Sequence, residues 1–143
     1  MKTRTIVIIL IVATAALIAA SCGGARSDSA ANEKVIKSTK SGGLTITLAS
    51  ATGELKSGDN DLILSFADAT GKTVDVGAAS LRFHMPPMGA MAEMNDSSSL
   101  TTTNTPGKYR AKVNIEVSGT WEAIVNYEGA KGTGQASLTV NAR

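Results

Sequence analysis

Tyr109-Arg110-Ala111-Lys112-Val113-Asn114-Ile115-Glu116-Val117 alternates without a break, with Tyr109, Ala111, Val113, Ile115 and Val117 on one side and Arg110, Lys112, Asn114 and Glu116 on the other. A period of two sends successive side chains to opposite faces of an extended chain, so this stretch predicts a β-strand with one buried and one wet face. The same period recurs on both sides of it. Trp121, Ala123, Val125 and Tyr127 share a face, as do Ala136, Leu138 and Val140. Upstream, Leu81, Phe83 and Met85 oppose Arg82 and His84, and Leu62, Leu64 and Phe66 follow Gly58-Asp59-Asn60-Asp61, which reads as a turn. Leu44, Ile46 and Leu48 alternate with Thr45 and Thr47, and a short strand from Thr73 to Val76 follows the turn signal Ala69-Thr70-Gly71-Lys72.

About seven short strands with turns between them predict an all-β domain: an immunoglobulin-like antiparallel β-sandwich occupying residues 44–143. The chain has a single cysteine, which excludes the inter-sheet disulfide of antibody domains. Trp121 and Tyr109 are expected to be its large core residues, because buried aromatics contribute far more area than Ala or Val.

The N-terminus reads differently. Met1-Lys2-Thr3-Arg4 is followed by an apolar stretch from Ile6 to Ala20, the layout of an export signal and short for a membrane span. Ala19-Ala20-Ser21-Cys22 then resembles a lipobox, which predicts a signal peptide over residues 1–21 and lipidation of Cys22. Lipidation would account for a lone cysteine in an exported chain, and two or more acyl chains give stable anchoring. Residues 22–43 are rich in Gly, Ser, Ala and Lys and are expected to form the lipidated end and a flexible tether. As a flexible coil such a tether reaches roughly 25 Å.

Removing residues 1–21 leaves 12 basic and 12 acidic side chains. The basicity of the whole chain belongs mostly to its export signal, and neither nucleic-acid binding nor a polybasic membrane contact is supported.

The residue supply also restricts chemistry. One histidine, no cysteine beyond Cys22, no Gly-x-Ser-x-Gly and no His-Glu-x-x-His leave the common hydrolase and zinc arrangements without material. Gly71-Lys72-Thr73 resembles the end of a phosphate loop, but Phe66 stands where the first glycine belongs. Gly129, Gly132 and Gly134 suit a hairpin and open no helix. No acid, base and nucleophile can be placed together, so no enzymatic activity is expected.

What remains is Phe83-His84-Met85-Pro86-Pro87-Met88-Gly89-Ala90-Met91-Ala92-Glu93-Met94, which holds every methionine except Met1. Thioethers are soft neutral ligands suited to Cu(I), and they neither form disulfides nor release a proton on binding. Met85, Met88, Met91 and Met94 are therefore candidate copper ligands. His84 adds an imidazole, and Glu93 a carboxylate for Cu(II). Pro86-Pro87 favours polyproline II, which would space successive methionines roughly 9 Å apart unless the chain bends at Gly89. Two structural readings stand beside this one. Met85 shares a strand face with Leu81 and Phe83 and suits the core, and the segment also suits an adaptable apolar contact surface.

The succession Gly58-Asp59-Asn60-Asp61-Leu62, Asp68-Ala69-Thr70-Gly71-Lys72, Met85-Pro86-Pro87-Met88-Gly89, Pro106-Gly107-Lys108-Tyr109 and Gly119-Thr120-Trp121 resembles the YtkA-like domain over nearly all of residues 44–140. The resemblance implies a small immunoglobulin-like domain of the bacterial envelope, of a kind found beside copper and heavy-metal efflux components. The family's Met-Pro-x-Met-Gly motif falls on Met85, Pro86, Met88 and Gly89. Many members carry a histidine after that glycine, where this chain has Ala90.

The expectation is thus a non-enzymatic, membrane-tethered lipoprotein that binds copper in the cell envelope, facing the periplasm from the outer membrane if the cell has two. The alternative is a metal-free interaction module for an envelope metal-transport or oxidase-assembly protein.

Overall fold

The computed structural model describes residues 32–143. The expected export signal, Cys22 and the first part of the expected tether lie outside the described residues. The described chain forms β1 (Lys34–Ser41), β2 (Leu44–Ser50), β3 (Gly58–Ala67), β4 (Ala78–Met85), β5 (Met94–Ser97), β6 (Ser99–Thr102), β7 (Lys108–Ile115), β8 (Gly119–Gly129) and β9 (Gly132–Ala142). Two antiparallel sheets result, ordered β1-β2-β3-β7-β6 and β5-β4-β8-β9, and they face each other as a sandwich.

The alternating residues of the sequence fill the space between the sheets. Trp121, Phe66, Phe83, Leu48, Leu64 and Ile115 are all fully buried there. Phe66 meets Tyr109 and Tyr127 edge-on, with ring centroids 5.8 and 5.6 Å apart, a favoured arrangement for the ring quadrupoles. Trp121 donates its Nε1 hydrogen to Val117 O at 3.0 Å, so its one polar atom is satisfied.

The described residues form nine strands where seven were expected, and they depart from the expectation in four places, three of which change the count. Residues 34–41, assigned to the tether, form β1, so the folded domain begins ahead of residue 44. The pairing of β1 with β2 shifts register between Val35 and Lys37. That irregularity and the polar residues on both faces erase the alternation from the sequence. β1 is held from across the sandwich as well: Tyr127 donates its hydroxyl to Ser41 O at 3.2 Å and Ser41 Oγ donates to Gln135 O at 2.9 Å.

Gly58-Asp59-Asn60-Asp61 opens β3 and is no separate turn. Asn60 there is buried and satisfies itself locally, accepting from Lys56 N and donating to Lys56 O and Gly58 O. Thr73 to Val76 forms only a bridge from Thr73 to Ala67 before Val76 enters the core. Finally, β5 and β6 are one extended run that changes sheets at Ser98, whose N and Oγ both donate to Leu81 O. β5 edges one sheet beside β4, and β6 edges the other beside β7.

Candidate metal site

The methionine segment is the connection of the β4–β5 hairpin. β4 and β5 pair from Arg82↔Ser97 to Met85↔Met94, so Met85 and Met94 stand opposite each other at its base. Beyond them the chain folds back a second time. Met88 N donates to Met91 O at 3.1 Å and Met91 N donates to Met88 O at 3.0 Å. Between them lie Gly89, at φ 58°, and Ala90, whose φ is negative. A left-handed first central residue followed by an ordinary one is the type II′ turn, whose twist suits hairpins.

The four methionines therefore form two cross-strand pairs, Met85↔Met94 at the base and Met88↔Met91 beyond it. The polyproline spacing is not what the structure shows, because Gly89 reverses the chain. Paired residues of a ladder project to the same side with Cβ atoms about 5 Å apart, which brings the Met88 and Met91 thioethers within joint reach of one ion. Both side chains are open to solvent, 50% and 42% exposed.

The other candidates are placed differently. Met85 is 1% exposed and belongs to the core. A Cβ added to Gly119 would lie 2.8 Å from its Cε, so the methionine methyl fills the space that this glycine leaves. Met94 is half-buried and packs against the core. His84 points the other way, to the outer face of its sheet, because it alternates with Phe83 and Met85. Its Nδ1 lies 3.0 Å from Asn95 Oδ1 on β5. Glu93 is exposed beside Met94. Cys22 lies outside the described residues. Among the described residues, no three His, Cys, Asp or Glu side chains are grouped so as to hold a metal ion, so any site here uses sulfur or fewer charged ligands.

Three residues near the segment carried no sequence signal. Asn95 and Glu122 flank His84 in register on β5 and β8. Asp96, on the inner side of β5 opposite Phe83, holds a buried Oδ2 without a hydrogen-bond partner among the described residues. Each depends on strand register, which no local pattern of these residues discloses.

No curated protein and no solved structure matches this chain. The model of the YtkA-like family matches residues 38–126, from within β1 to within β8 and across the whole methionine hairpin. With more than half of its length matched, the chain belongs to the YtkA-like family.

Proposed function

We propose that this protein is a non-enzymatic envelope lipoprotein, anchored through Cys22, that holds Cu(I) exchangeably at Met88 and Met91. The observation that carries the reading is the exposed cross-strand pair of thioethers at a two-residue turn. Two soft neutral sulfurs favour Cu(I) over harder and more abundant divalent ions. Two ligands from the protein leave coordination positions open to a donor or acceptor, which suits transfer better than storage.

The anchor fits the same picture. Residues 23–32 span at most roughly 35 Å even fully extended. Lys34, which opens β1, pairs with Ser50 at the end of β2. β4 closes at that same end of the sandwich: Ser50 pairs with Leu62 near the start of β3, Gly58 pairs with Ile115 at the end of β7, β8 begins four residues later at Gly119, and His84 pairs with Glu122 near the start of β8. A lipid on Cys22 would thus keep the methionine hairpin close to the membrane surface, where an envelope transporter or assembly partner would meet it.

The test is a competitive Cu(I) titration of the chain carrying Cys22→Ser, with and without Met88→Leu and Met91→Leu. Leucine keeps the apolar bulk and removes the sulfur. Stoichiometric binding lost in the double variant supports the metal reading. Absence of binding, with association to a membrane partner retained by the leucine variant, assigns the hairpin to metal-free docking. Labelled palmitate incorporation, lost on Cys22→Ser, tests the anchor.

A further inference from the structure

We infer that the outer face of the β4–β8 sheet carries a second, separate copper site, in which His84 and Glu122 bind Cu(II). His84 and Glu122 are direct register partners on neighbouring strands. Both alternate with buried residues, Phe83 and Met85 on β4 and Trp121 and Ala123 on β8, so both project outward. Direct cross-strand partners have Cβ atoms about 5 Å apart, a spacing that lets an imidazole nitrogen and a carboxylate oxygen reach one ion.

The histidine is prepared for this role. Asn95, its partner on the other side, offers Oδ1 to Nδ1 at 3.0 Å. With the amide oxygen as acceptor, Nδ1 carries the proton and Nε2 keeps its lone pair. Metal-binding histidines commonly have such an acceptor on the second ring nitrogen, which fixes tautomer and ring orientation. Among the described residues Glu122 forms no ion pair that would occupy its carboxylate, and the pairs Glu33–Lys108, Asp61–Lys112 and Glu54–Arg143 lie elsewhere.

Imidazole with carboxylate suits a divalent ion, and Cu(II) heads the affinity order of the first-row divalent metals. Water completes the coordination, so binding is weak and exchangeable. Met85 and Met94 face the opposite side of the same strands, and the site is distinct from the Met88–Met91 pair. The two places sort copper by hardness, sulfur for Cu(I) and nitrogen with oxygen for Cu(II).

The experiment is a Cu(II) titration of the full chain carrying Cys22→Ser in detergent, read as paramagnetic broadening of backbone amide resonances. Broadening should centre on residues 84, 95 and 122, disappear in His84→Gln, and persist in the Met88→Leu/Met91→Leu variant. Asn95→Leu should weaken binding by about 10-fold or more, as loss of an orienting partner does. Glu122→Gln should also weaken it while the uncomplexed spectrum stays native. Broadening centred on the methionine hairpin or the N-terminus, or surviving His84→Gln, overturns the inference. Cu(I) binding at the hairpin is measured separately and should be indifferent to His84→Gln, so the two sites fail or stand independently.

Discussion

Met88 and Met91 exchange both of their backbone hydrogen bonds, at 3.1 and 3.0 Å, across a turn of only Gly89 and Ala90. This relationship turns a run of evenly spaced methionines into a facing pair. It rests on Gly89, whose φ of 58° is reached freely only without a side chain. Nothing lies within 4 Å of a Cβ added there, so a substitution acts through the backbone alone. Gly89→Val should cost about 1–2 kcal/mol locally, open the turn and weaken Cu(I) binding. The melting temperature of the sandwich should stay nearly unchanged. A Cu(I) competition assay beside thermal circular dichroism measures both.

Gly107 behaves oppositely. At φ 80° an added Cβ would lie 2.3 Å from Val74 O, a backbone atom that cannot step aside. Gly107 O also accepts from Phe66 N at 2.9 Å, tying this loop to β3. Gly107→Ala combines left-handed strain with overpacking and should cost about 3 kcal/mol or more. For a domain of this size that lowers the melting temperature by at least about 10 °C.

Tyr109 links β7 to the segment before β4, donating its hydroxyl to Gly77 O at 2.9 Å and approaching Asp75 Oδ1 at 3.3 Å. Burial first, then the Asp75 charge and hydrogen bond, raise its phenol above the ordinary 10.0. The folded state therefore holds this proton more tightly than the unfolded chain. The resulting stability is complete below the unfolded value and is lost as pH rises through the folded one. Tyr109→Phe should cost about 1 kcal/mol at neutral pH and flatten the alkaline limb of a stability-against-pH curve from urea unfolding.

Asp96 sits on the edge strand β5 and turns its buried, unpartnered Oδ2 inward. An unsatisfied buried oxygen costs about 1–3 kcal/mol, and inward-pointing charge on an edge strand discourages pairing with another chain. Asp96→Ala should therefore raise the melting temperature and increase self-association, read by light scattering over a concentration series.

Much of the sandwich was legible because its core strands alternate. β7 from Tyr109, β8 from Trp121 and β9 from Ala136 each bury every second residue, as their patterns require. Where the period failed, the elements were hidden. β1 is interrupted by a register shift at Ile36, and β5 and β6 are four residues each, too short for a period to establish itself. The candidate site was legible as composition, since the clustering of methionines needs no fold to be noticed.

The sequence by itself determined the sheet period, the aromatic core and the concentration of soft ligands between positions 85 and 94, because these follow from residue type and local spacing. Only the tertiary structure decided which of those ligands meet. The β4–β5 register sends Met85 and Met94 inward and His84 outward, and the turn at Gly89 joins Met88 to Met91. The register of β4 with β8 then sets His84 beside Glu122. Strand register is fixed by the packing of two sheets around Trp121, Phe66 and Phe83, a property of the assembled core that no stretch of the chain carries alone.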